Sequence, residues 1–178
     1  MDLRRSSLPF RLEPMRILGI DPGLAITGIA LIEADSPQKF TRTDWLTITT
    51  KSGLPLPDRL CELQHDLHEY LRDTKPQYAV VERLFFATNR LTAIAVAQAR
   101  GVILLTLAEH AIPCLEPTPL ELKHCITGDG NADKRQVQDM LTRTFSLQEP
   151  PKPDDAADAL ALALYGLLNA KLFAFENA

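Results

Sequence analysis

The sequence predicts a single α/β domain, a mixed five-stranded sheet flanked by helices on both faces. Three observations predict it. Short β-branched runs broken by turn signals open the chain, strand-like and helical patterns alternate after residue 57, and 178 residues is the length of one domain. With 46% hydrophobic and 24% charged residues, 8 Gly and 13 Pro, the chain can build a core and is not collagenous, disordered or disulfide-stapled.

Residues 1–14 contain two Pro and no hydrophobic period, so a disordered N-terminal tail is expected, with one folded domain over 15–175 and Met15 as a candidate start. Residues 16–20 (RILGI) read as a strand stopped by the turn signal Asp21-Pro22-Gly23, and 26–33 (ITGIALIE) as a second strand. Residues 39–50 (KFTRTDWLTITT) are rich in Thr and aromatics and complete an antiparallel meander. Leu60, Leu63, Leu67, Tyr70 and Leu71 fall at helical spacing within 58–73, and that helix ends before Pro76. The buried run 77–81 (QYAVV) then delivers Glu82, and its place after a helix predicts parallel pairing. An Ala-rich helix follows over 88–110, with small residues at 93, 95, 97, 99 and 101, and then a short strand near 112–116. Val137, Met140, Leu141 and Phe145 mark a helix over 133–145. The last helix, about 154–170, starts at Pro153-Asp154-Asp155 and is apolar on most sides, which predicts packing on the sheet.

The longest nearly apolar stretch, Ala159 to Leu168, is far short of the ~20 residues a membrane span needs. No secretory pattern opens the chain, so a cytoplasmic protein without membrane association is expected. Cys61, Cys114 and Cys125 are odd in number and widely spaced, which argues against a disulfide framework or a zinc site. The net charge is −4, and the excess acid falls within residues 16–36 and 146–178 while the middle of the chain is balanced. A nucleic-acid binder of this charge should bind weakly at high salt, because cationic contacts to phosphate set the salt dependence.

Four acids stand where elements end or begin along one edge of the predicted sheet: Asp21, Glu82, Asp155 and Asp158. Residues three apart share a helix face, so Asp155 and Asp158 can converge. Each piece alone also reads as ordinary structure, a turn, a helix cap or an exposed strand end. Together, close carboxylates require cations, and hard oxygen donors suit Mg²⁺ or Mn²⁺. Two such ions about 3.5–4 Å apart can activate water and stabilise a leaving oxygen in phosphodiester cleavage.

The segments ILGIDPGLAITGIALIE, VVERLFFATN, AQARGVIL and DDAADALALAL together resemble the RuvC family of Holliday junction resolvases, of the ribonuclease H-like superfamily, over about residues 15–170. The resemblance implies a crossover junction endodeoxyribonuclease. It would act as a homodimer on four-way junction DNA, cutting opposed strands symmetrically to leave 5′-phosphate and 3′-hydroxyl ends. Asp21, Glu82, Asp155 and Asp158 would be its catalytic acids, holding two Mg²⁺ per subunit, with Mn²⁺ able to substitute. The resemblance also places Phe85 in a stack at the junction centre and Lys123 and Lys134 near the scissile phosphate. Asn89 and Arg135 extend these DNA contacts, the helix over 88–110 is matched to dimer formation, and RuvA and RuvB are the implied branch-migration partners. Asp154 adds an acid that the pattern does not require, and the D-x-x-D spacing to Asp158 favours Asp155 as the ligand. Two other enzymes compete. One is a ribonuclease H-like nuclease acting on RNA or RNA–DNA hybrids. The other is an actin-like ATPase lobe, suggested by Asp21-Pro22-Gly23 with Thr27-Gly28, although such ATPases need two lobes and this chain has length for one.

Overall fold

In the computed structural model, which describes residues 14–84 and 90–173, the chain opens on the expected meander. Strand β1 (Met15–Asp21) pairs antiparallel with β2 (Ile26–Ser36), which pairs antiparallel with β3 (Lys39–Thr49). Two further strands, β4 (Tyr78–Val81) and β5 (Cys114–Leu115), add in parallel on the other side of β1, giving the order β3-β2-β1-β4-β5. Parallel neighbours need crossover connections, and helices α1 (Leu56–Thr74) and α2 (Arg90–Glu109) supply them.

β1 is central and buried on both faces, so its alternation sorts the core into two layers. Leu18 and Ile20 pack with Leu63, Leu67 and Leu71 of α1 and Ala99, Ile103 and Leu107 of α2. Ile17 points the other way, to helices α3 (Pro119–Thr127), α4 (Lys134–Thr144) and α5 (Asp154–Leu168). Helix α5 buries residues around most of its circumference, as its Ala/Leu composition predicts. Gly19 admits it: a Cβ there would lie 2.0 Å from the Ala159 carbonyl oxygen.

Three differences from the sequence reading have physical causes. Helix α3 was not expected from the sequence, in which Pro117 and Pro119 flank its start. Pro119 sits in the first turn, where its missing N–H costs nothing, and Thr118 and Glu121 close a reciprocal capping box. The final helix stops at Leu168 and passes through Asn169 into a short 3₁₀ turn, Ala170–Leu172. The fifth strand shrinks to two residues because only Cys114 and Leu115 find partners, in β4. The three cysteines are free thiols. Among the described residues, no helix is long and apolar enough to cross a membrane. The expected tail over 1–14 lies outside the described residues except for Pro14, and Phe85 and Asn89 lie outside them too.

Candidate active site

Asp21 ends β1, and Glu82 follows β4, the parallel strand beside it, so both carboxylates leave the same edge of the sheet. Asp155 and Asp158 lie in the opening turns of α5, which packs across β1 and β2. Gly28 brings these elements together. It is Asp21's register partner in β2, and a Cβ on it would lie 1.9 Å from the Asp155 carbonyl oxygen. Only a residue without a side chain lets α5 begin this close to the end of β1.

Asp21, Glu82 and Asp158 line one cavity of about 200 Å³, together with Lys123 of α3 and Lys134 of α4. Leu122, Val137 and Leu162 form part of its apolar wall. Asp155 lines a second cavity. Lys134 donates from Nζ to Asp158 Oδ2 at 3.0 Å and also pairs with Asp154 at 3.3 Å. Asp154 is exposed and accepts a further bond from Gln138, so it faces α4, whereas the charge of Asp155 acts on Asp21. Arg135 is exposed at the start of α4 and does not line the cavity.

The charges are concentrated and poorly solvated. Burial, then the negative charges of Asp158, Glu82 and Asp155, push the Asp21 carboxyl up to about 8, with Lys134 pulling the other way. Burial and Asp158 raise Glu82 against the opposing pull of Lys123. Burial raises Asp158 as well, overcoming its bond to Lys134, and Asp154 and Asp155 add to the rise. For Lys134, burial disfavours the ammonium, but Asp158 and Asp154 outweigh it and its pKa is raised. Among the described residues, no three His, Cys, Asp or Glu side chains already form a ligating cluster. The four acids therefore converge within electrostatic range, with Lys134 on Asp158, rather than in the tight contact that the sequence suggested. The donor set still fits hard divalent cations: all oxygen, low dielectric, and one carboxyl whose proton a cation would displace.

A pH dependence follows. An unfolded Asp ionises near 3.8 and folded Asp21 near 8, so between those values the metal-free fold holds a proton that the unfolded chain does not. Stability is greatest below the lower value and falls as pH rises, by about 1.4 kcal/mol per unit from this group, levelling off above its folded pKa. Urea unfolding in EDTA at pH 5 and pH 7.5 should show this decline, and Asp21→Asn should flatten it.

The sequence reading missed two residues that hold the site. Gly28 is one. Arg100 is the other: its Nε donates to the Glu82 carbonyl oxygen at 2.8 Å while its guanidinium pairs with Glu116, tying α2 to the ends of β4 and β5. Its signal was the segment AQARGVIL, noted for resemblance without a role for the arginine. Arg100→Ala should lower kcat about tenfold or more by loosening Glu82, with little change in KM, in steady-state cleavage assays.

A mixed sheet of this order, with carboxylates at the ends of β1 and β4 and at the start of the helix packed across them, defines a ribonuclease H-like nuclease. Residues 17–165 match the family described as "Crossover junction endodeoxyribonuclease RuvC". A protein of that name from Desulfitobacterium hafniense (strain DSM 10664 / DCB-2) is 47% identical over 150 residues, covering 84% of this chain and 90% of the relative. The Thermus thermophilus RuvC structure superposes with a TM-score of 0.79 at 28% identity, over 89% of this chain and 96% of that one. The same protein in complex with Holliday junction substrate matches equally well. The chain belongs to the RuvC family and is a crossover junction endodeoxyribonuclease.

Proposed function

We propose that Asp21, Glu82, Asp155 and Asp158 are the catalytic acids and that they hold two Mg²⁺ per subunit, with Mn²⁺ able to substitute. The observation that carries this reading is the Asp21 carboxyl, buried at a strand end among three other carboxylates and raised to about 8 by them and by burial. Such repulsion is tolerated where a cation balances it. Bound divalent cations supply Lewis acidity, lowering the pKa of water and stabilising the departing 3′-oxygen. The chain's own residues do the rest. The acids orient the cations, Lys123 and Lys134 attract the phosphate into the cavity, and Arg135 adds positive charge next to Lys134 at the start of α4. Phe85 and Asn89, on the segment after β4, would contact the junction itself.

The substrate is four-way junction DNA, as in the Thermus thermophilus complex, and symmetric cutting requires two copies of the chain. A homodimer is supported by α2. Ile94 (69% exposed) and Leu105 (55% exposed) lie on one face of it with the exposed Gln98 and Gly101 between them, two large apolar side chains open to solvent in the single chain. Leu105→Glu should convert the dimer to monomer in sedimentation equilibrium and abolish paired nicking. RuvA and RuvB would present the junction, and the cytoplasm is the expected compartment.

The test is cleavage of a synthetic mobile junction, a linear duplex and an RNA–DNA hybrid in Mg²⁺ or Mn²⁺, by the wild type and by Asp21→Asn. Paired symmetric nicks on the junction alone, lost in the variant, are expected. Cleavage of the hybrid would overturn the substrate assignment, and cleavage retained in the variant would overturn the site.

A further inference from the structure

The second cavity has a basic residue of its own. It measures about 360 Å³ and is lined by Gly23, Ile26, Ala95 and Val96, with Asp155 and with Arg59 of α1. Arg59 donates from Nε to Thr50 Oγ1 at 2.9 Å and from Nη2 to the Leu24 carbonyl oxygen at 3.3 Å. Both acceptors are uncharged. Among the described residues, no carboxylate pairs with Arg59, so its charge is held in place without being neutralised. Its anchors belong to the loop that follows Asp21 and to the end of the sheet: Leu24 lies three residues beyond Asp21, and Thr50 also donates to Leu24 O. The guanidinium is thus fixed relative to the acids. Ile26, 42% exposed, offers an apolar surface beside it.

An immobilised, unneutralised guanidinium next to apolar walls suits one ligand class, a nucleotide unit with its phosphate on the cation and its sugar or base on the hydrocarbon. Asp21, Glu82 and Asp158 line one cavity, and Asp155 lines the other together with Arg59. A strand whose phosphate lies at Asp155 therefore meets Arg59 in the same cavity. We propose that Arg59 binds a phosphate adjacent to the scissile one on the cleaved strand and so fixes which phosphodiester reaches the acids. This rests on the acids being the cleavage site, as proposed above.

A methylphosphonate scan of the junction tests the contact without depending on how well a variant folds. Single neutral linkages are placed at the scissile position and at each of the two positions on either side, and binding is measured for the wild type, Arg59→Ala and Arg59→Lys. At one flanking position, neutralisation should weaken wild-type binding about tenfold and cost Arg59→Ala nothing further, while Arg59→Lys falls between them. The slope of log affinity against log salt should be smaller by about one in Arg59→Ala. If every flanking methylphosphonate weakens the wild type and Arg59→Ala equally, Arg59 touches no phosphate and only fastens the loop, and the proposal fails. Cleavage of the unmodified junction by Asp21→Asn separates the two readings: if that variant cuts it as the wild type does, the cleavage-site reading fails first.

Discussion

Asp21→Asn is expected to lower junction cleavage by at least about 10³-fold, the order of loss when a group that stabilises transition-state charge is removed. Junction affinity should be unchanged or slightly raised, because the substitution deletes negative charge from a surface that must accept phosphates. Asp21 is the most crowded of the four acids. It is buried, and Asp158, Glu82 and Asp155 all act on it. The amide keeps the shape and cannot ionise, so the metal-free variant should be more stable at pH 7.5 than the wild type, whose unfolded chain gains by ionising Asp21, while being inactive. Gain of stability with loss of activity is the signature of a site whose strain serves function. Single-turnover cleavage, filter binding and urea unfolding of one preparation would check all three.

Gly28→Ala should have the next largest effect, although Gly28 touches no substrate in this account. The added methyl would lie 1.9 Å from the Asp155 carbonyl oxygen and 2.5 Å from its carbonyl carbon, and these are backbone atoms that cannot rotate away. Either β2 or the start of α5 must move, separating Asp155 and Asp158 from Asp21, which pairs with position 28 across the strands. A displacement near 1 Å at a reacting centre costs on the order of 100-fold in rate. The overpacking should also cost about 1–3 kcal/mol of stability. Cleavage assays and denaturant unfolding would report both. Gly101, where an added Cβ meets nothing within 4 Å, is the matched control for folding of the isolated subunit.

The parts of this architecture that were legible in the sequence are those written in local pattern. The meander was readable because β-branched runs are punctuated by Asp21-Pro22-Gly23, and α5 because an Ala/Leu run begins at a proline followed by acids. The four acids were readable because each falls at an element boundary, where a side chain can reach past the edge of the sheet. Helix α3 was not, since two prolines obscured a capping box whose Thr118-to-Glu121 spacing was nonetheless present. The roles of Arg59 and Arg100 were not legible for a different reason. Their partners lie 35 and 18 residues away, at Leu24 and Glu82, and no periodicity encodes a side chain reaching a distant carbonyl. The division of the acids between two cavities was likewise beyond the sequence, because spacing puts Asp155 and Asp158 on one helix face without saying what each looks into.

If the four acids form one cation site, a titration of Mn²⁺, followed by electron paramagnetic resonance, into the wild type, Asp21→Asn and Asp158→Asn, each saturated with junction DNA, will show it. Two ions per wild-type subunit are expected, with the loss of at least one, or a tenfold or greater weakening, in each variant. Equal stoichiometry and affinity in all three proteins would contradict it.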